Sequence, residues 1–141
     1  MVDTYIGISA VYVVYHLAVA IWRMHVFLLD VPAEVEEAGL VDGLSEWGVF
    51  WRVSMRLTVP GVIATATLVF ILTWNEFFYA FVLTRKTANT FTTTIPGYCG
   101  AFHVYWGQEC EASTLGVLPP LILVLLVRTR LAGCLSVGLV T

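Results

Sequence analysis

Pro32-Ala-Glu-Val-Glu-Glu-Ala-Gly-Leu-Val-Asp-Gly43 is a charged island in a chain that otherwise reads as lipid-soluble. The chain carries ten acidic and seven basic side chains. Eight of them, Asp30, Glu34, Glu36, Glu37, Asp42, Glu46, Arg52 and Arg56, lie in or beside this stretch, between two long apolar runs. A short polar turn would suffice to join two spans, so a loop this elaborate is expected to face a soluble partner. Composition supports a membrane setting: 59% of residues are hydrophobic and 12% charged, against about 25% charged in an ordinary soluble domain. The net charge of −3 leaves no basic footprint for nucleic acid, and no nucleic-acid partner is expected.

Outward from the island, three spans can be drawn. Residues 5–22 are free of formal charge and, as a helix rising about 1.5 Å per residue, nearly cross a hydrocarbon core of about 30 Å. Residues 62–83 form a second run interrupted only by Asn75 and Glu76, and residues 112–127 a shorter third. Pro119-Pro120 is expected to kink the third by removing two backbone donors. The expected fold is therefore all-α: a polytopic membrane protein of about three transmembrane helices, with a cytoplasmic two-helix loop over residues 23–61. Ala18-Val-Ala20 resembles a signal-cleavage site, but residues 1–4 contain no Lys or Arg and the apolar run exceeds a usual signal core. Arg23, Arg52, Arg56, Arg128 and Arg130 fall on one side and only Arg85 and Lys86 on the other. The positive-inside tendency then places the charged loop and the C-terminus in the cytoplasm and the N-terminus outside.

Within the loop, Asp30 is expected to cap a first helix that Pro32 opens. Glu34, Glu36 and Glu37 sit near the positive end of its dipole, and Gly43 stops it. Ser45 is expected to cap a second helix in which Trp47, Phe50, Trp51 and Ser54 or Met55 share a face. That aromatic face suits either the headgroup region of a bilayer or a groove on a soluble subunit.

Taken in order, Glu37-Ala38-Gly39, Asp42-Gly43, Trp47, Phe50-Trp51-Arg52-Val53 and Pro60 resemble the EAA loop of inner-membrane permease subunits of bacterial ABC importers, in the form found in maltose-type sugar permeases. Trp74-Asn75-Glu76-Phe77 is similar to a W-N-E-F motif of the family's next span. Trp106-Gly107, Ala112-Ser113 and Leu118-Pro119 match its last span, and residues 134–138 echo its G-L-T-x-G tail. The resemblance implies that the loop is a coupling helix seated in a cleft of a cytoplasmic ABC ATPase dimer, with Glu37, Ala38, Gly39, Asp42 and Gly43 at the contact. It further implies a second permease subunit, an extracytoplasmic solute-binding protein, a lipid bilayer around the spans, no cofactor, and ATP hydrolysis in a separate subunit. Trp74, Asn75 and Glu76 become candidates for the solute pathway, where sugar hydroxyls need polar partners and Trp74 can stack on a ring. Glu76 reads equally as a packing or topological residue at the outer interface.

Departures from the family pattern are specific to this chain. Gly39 replaces a usual second Ala, Arg56 replaces the first Pro, and Glu109 and Glu111 stand where apolar residues are usual, which is expected to shorten the last helix unless they stay above the membrane. The resemblance covers the C-terminal half of a roughly six-span family, so this chain is expected not to transport alone. The alternatives are a permease remnant and a small structural membrane protein. His16, His25 and His103 show no metal or haem spacing. Cys99 and Cys110 share the outer side and could pair there, while the outer segment from Thr84 to Glu111 reads as a loop with a short helix facing the binding protein.

Overall fold

Apolar residues around its whole circumference make Tyr5–Leu29 a single 25-residue helix, α1. In the computed structural model, which describes residues 3–85, 87–98 and 106–137, α1 outruns the expected 5–22 by continuing through Arg23 and His25. Arg23 tolerates this because its guanidinium lies 5.7 Å from the centre of the Phe27 ring, a cation–π contact on its own helix. Asp30 ends α1 as its C-cap and does not start the next helix, which corrects the expected capping role. The following helix, α2 (Ala33–Val41), has Pro32 at its N-cap and no side-chain cap bond.

Gly43, at φ +86°, turns the chain after α2 in a conformation that a Cβ would strain. Ser45 then caps α3 (Glu46–Val49) as expected, its hydroxyl accepting the Gly48 N–H at 3.2 Å. The second loop helix is not separate from the second span, however. α3 passes through a π-turn at Phe50–Ser54, where the Met55 N–H reaches back to the Phe50 carbonyl, and runs into α4 (Met55–Trp74). Neither Gly nor Pro lies within residues 49–59, and Pro60 sits inside α4 without ending it.

At its far end this helix stops earlier than expected. The run 62–83 is two helices, because the chain leaves helical geometry at Asn75–Phe77 and resumes as α5 (Phe78–Leu83). The polar pair supplies the reason: the Asn75 amide donates to the Ile71 carbonyl at 2.8 Å, and the Glu76 carboxylate accepts the Tyr79 and Ala80 N–H groups at 2.9 and 3.3 Å. Side chains thus close one helix and open the next. A short α6 (Phe91–Thr94) carries a Thr90/Thr93 capping box and continues into a 3-10 turn.

The last helix, α7 (Trp106–Val137), is longer than the expected 112–127 and passes unbroken through Pro119 and Pro120. Pro120 withholds the N–H that would bond the Gly116 carbonyl, but the Trp74 indole N–H donates to that oxygen at 3.0 Å. The acidic residues Glu109 and Glu111 lie within the helix and do not cut it short. Cys110 is exposed there, whereas Cys99, Lys86 and His103 lie outside the described residues.

Among the described residues every regular element is helical, and three helical stretches are long and apolar enough to cross a membrane: Tyr5–Leu29, Glu46–Trp74 and Trp106–Arg128. α4 is the centre, packed by α1 on one side and α7 on the other. Gly61 of α4 admits the Phe27 ring of α1 into space that a Cβ would fill. The hydroxyls of Thr58, Thr67 and Thr84 bond carbonyls of the preceding turn at 2.9, 2.7 and 2.7 Å, which satisfies them without solvent. Large apolar side chains such as Ile6, Val14, Phe78, Phe81 and Leu126 point outward, as lipid or neighbouring helices require.

Candidate functional site

The charged island folds as α2 laid against α3 and the π-turn. Gly39 is its buried contact: a Cβ there would stand 3.1 Å from Val49 Cγ2 and 3.5 Å from Val53 Cγ2, so the family's usual Ala would press on Val49 and make ordinary contact with Val53. Glu37, Ala38, Asp42 and Gly43 are exposed on the other side. Of the five residues expected at the partner contact, four therefore share an open surface, and Gly39 serves close packing beneath it. Among the described residues neither Glu37 nor Asp42 forms an ion pair, so this surface is acidic.

Two residues outside the expected site hold it in place. Ser54, only 1% exposed, donates its hydroxyl to Glu36 Oε1 at 2.5 Å, tying α2 to the π-turn. Such a short bond to a carboxylate is among the stronger hydrogen bonds available to a protein. Glu36, Leu40, Glu46, Val49, Phe50 and Ser54 line a cavity of about 150 Å³ beside it. Sequence reasoning placed Glu36 on the helix dipole and Ser54 on an aromatic face. Nothing local reveals a bond between residues eighteen positions apart, although a buried Ser among aromatics is a group that must find an acceptor.

The aromatic face is split by the π-turn. Trp47 and Trp51 remain 73% and 62% exposed, while Phe50 turns partly inward with its ring edge-on to both, at 6.1 and 5.4 Å. The extra residue in the turn re-aims what an ideal helix would have aligned.

At the far end of α4, the second candidate group is engaged within the chain. Trp74 stacks between Phe70 and Phe91 at 5.6 and 6.0 Å while bonding Gly116. Gly116 has no Cβ because the Phe91 ring occupies that space. Thr92 Oγ1 donates to the Glu76 carbonyl at 2.8 Å. The Tyr12 phenol of α1 lies beside the Glu76 carboxylate, buried yet outside hydrogen-bond geometry, and His16 one turn on is buried with Nε2 unpartnered. Tyr79 meets α1 through an edge-on contact with Tyr15 at 5.1 Å. Nearby, Asp3 clasps the chain after α5: its carboxylate accepts the N–H groups of Arg85, Thr87 and Ala88 at 2.9, 3.0 and 3.3 Å. Sequence reasoning weighed His16 only as a metal or haem ligand and passed over Tyr12 and Asp3; for Tyr12 a polar side chain in an apolar span was the readable signal. Among the described residues there is no cluster of His, Cys, Asp and Glu that could hold a metal.

Comparison with known proteins gives this geometry a context. Residues 3–136 match the family model described as binding-protein-dependent transport system inner membrane component. A probable ABC transporter permease protein of Sinorhizobium fredii is 33% identical, over 96% of this chain and 49% of its own length. A putative ABC transporter permease protein of Streptomyces antibioticus is 36% identical, over 99% of this chain and 62% of its own. The trehalose transport system permease protein of Mycobacterium tuberculosis is 30% identical, over 98% and 52%. The chain thus spans about half to three-fifths of the length of these relatives.

Proposed function

Because the chain belongs to the family of binding-protein-dependent transport system inner membrane components, we propose that it is permease sequence of an ABC importer for sugars, in which α2 is the coupling helix. The observation that carries this reading is the division of labour on α2: Glu37, Ala38, Asp42 and Gly43 are open to a partner, while Gly39 and Glu36 fasten the helix to the membrane-spanning rod. A helix exposed on one side and fastened on the other can pass a push inward. The partner is a cytoplasmic ABC ATPase dimer, and closure of that dimer would press on α2 and move Glu46–Trp74 through the Ser54–Glu36 bond and the Gly39 contact. The charged loop and C-terminus then lie in the cytoplasm and the N-terminus outside, in agreement with the placement of the basic residues.

A second permease subunit completes the solute path, and an extracytoplasmic solute-binding protein delivers the solute. Sugar is the favoured cargo because a relative is a trehalose permease protein and because of the Trp74–Phe77 motif. The polar break at Asn75 and Glu76 lies beside that path, with Tyr12 as the polar group on the facing helix. Trp74 and Glu76 shape it chiefly by fixing α5 and α7, which their hydrogen bonds favour.

Affinity capture of the tagged chain from membranes that hold the whole importer tests the reading. The ATPase should co-purify, and Glu37→Lys, which reverses charge on the open side of α2, should abolish capture while membrane abundance stays the same. Capture undiminished by Glu37→Lys would place the contact elsewhere. Absence of the ATPase from the wild-type preparation would favour a small structural membrane protein.

A further inference from the structure

Arg56 stands where the family resemblance expects a proline, and neither the packing of the helices nor the coupling loop uses it. It lies one turn after Arg52 on the same helical rod, so both guanidinium groups project from one face. That face is an open groove of about 500 Å³, lined by Trp51, Arg52, Met55, Arg56 and Val59. Both arginines are exposed, and neither has an acidic partner within salt-bridge distance among the described residues. Two unpaired guanidinium groups one turn apart form a forked donor set matched to a phosphate.

Depth favours a lipid as its source. From Arg56 to the end of α4 at Trp74 the helix rises about 27 Å, with Glu76 just beyond it, close to the roughly 30 Å thickness of a bilayer hydrocarbon core. With Glu76 at one interface, the arginine pair lies at the opposite headgroup layer. Trp51 is an interfacial side chain by type, and Met55 and Val59 continue the groove along the rod toward the hydrocarbon, walls that an acyl chain would fill and a free anion would not.

We propose that this groove binds the phosphate of an anionic glycerophospholipid, Arg52 and Arg56 holding the headgroup and Met55 and Val59 the upper acyl chain. The site steadies the root of α4 next to the π-turn, so a bound lipid limits how the rod can pivot there. It does not depend on the chain being a sugar permease, only on α4 lying across the bilayer.

The full chain in lipid nanodiscs provides the test, with retained lipid counted by native mass spectrometry after mixing phosphatidylglycerol and phosphatidylcholine. Wild-type chain should retain phosphatidylglycerol preferentially, and Arg52→Gln with Arg56→Gln should cut that preference roughly tenfold or more, since each basic residue near an anionic surface contributes about one kcal/mol. Arg52→Lys with Arg56→Lys, which keeps the charge but not the fork, should fall between the two, and helicity by far-UV circular dichroism should be equal in all three. Equal retention of both lipids by the wild type would overturn the site. So would a preference untouched by the glutamine pair, or complete displacement of the lipid by soluble glycerol phosphate, which would make it a free-anion site. Loss of ATPase capture in the glutamine pair with lipid preference intact would assign the groove to the ATPase instead.

Discussion

Ser54→Ala removes one hydroxyl and should loosen the hold of the membrane-spanning rod on α2. The bond from Ser54 Oγ to Glu36 Oε1 is 2.5 Å long, and its donor is 1% exposed. A hydrogen bond to a charged group is worth about 1.5–3 kcal/mol. Glu36 is half-buried, so water can replace part of what Ser54 supplied, and the net effect is placed at about 1–2 kcal/mol. Because Gly39 packs on Val49 and Val53 independently of this bond, the single substitution should loosen α2 without unfolding it. A double-mutant cycle of Ser54→Ala and Glu36→Ala isolates the pair, read from unfolding of the full chain in detergent by tryptophan fluorescence and far-UV circular dichroism. The expected coupling energy is about 1–2 kcal/mol. Additivity within about 0.3–0.5 kcal/mol, the behaviour of independent sites, would refute the reasoning. In the assembled importer, the same substitution should raise the ATP hydrolysed per solute carried, since the push on α2 would be dissipated before it reached α4.

Three further outcomes follow from separate parts of the structure. Gly43→Ala should cost about 1–2 kcal/mol because the turn holds φ at +86°, and Gly43→Asn less, both measurable by the same unfolding assay. Trp74→Phe should keep the rings stacked but leave the Gly116 carbonyl without its donor, lowering stability by about 1–3 kcal/mol and speeding amide exchange in α7 on either side of the proline pair. Asp3→Ala should accelerate hydrogen exchange at the Thr87 and Ala88 amides, which the carboxylate now caps, by roughly tenfold or more, as loss of a bond to a charged acceptor implies. Unchanged exchange at those amides would mean that the clasp contributes nothing.

What could be read from the sequence was whatever depends on near neighbours or on composition. Long apolar runs announced α1, α4 and α7, and Ser45 and Gly43 marked the cap of α3 and the turn after α2 by residue type alone. The motif order gave the family. Boundaries failed where a distant group intervened: the third span looked short around Pro119-Pro120, and the Trp74 indole that satisfies the Gly116 carbonyl freed by Pro120 is 42 residues away. Asp30 was expected to open α2, but α1 had enough apolar residues to absorb it. The run 62–83 looked continuous because hydropathy averages over Asn75 and Glu76, whose side chains end one helix and start the next. The exposed half of the charged loop, Glu37, Ala38, Asp42 and Gly43, was legible from its polar and small residues. The buried half, Glu36 with Ser54 and Gly39 against Val49, required knowing how two helices cross.

The central claim is that the open side of α2, and not its packed side, meets the ATPase. Single cysteines placed in a background lacking Cys99, Cys110 and Cys134 address it directly, by disulfide cross-linking to a cysteine in the ATPase cleft within the assembled importer. Ala38→Cys, on the exposed side, should cross-link strongly and in a manner that changes with ATP, whereas Ser54→Cys, buried against α2, should not cross-link at all. Cross-linking at Ser54 with none at Ala38 would contradict the account.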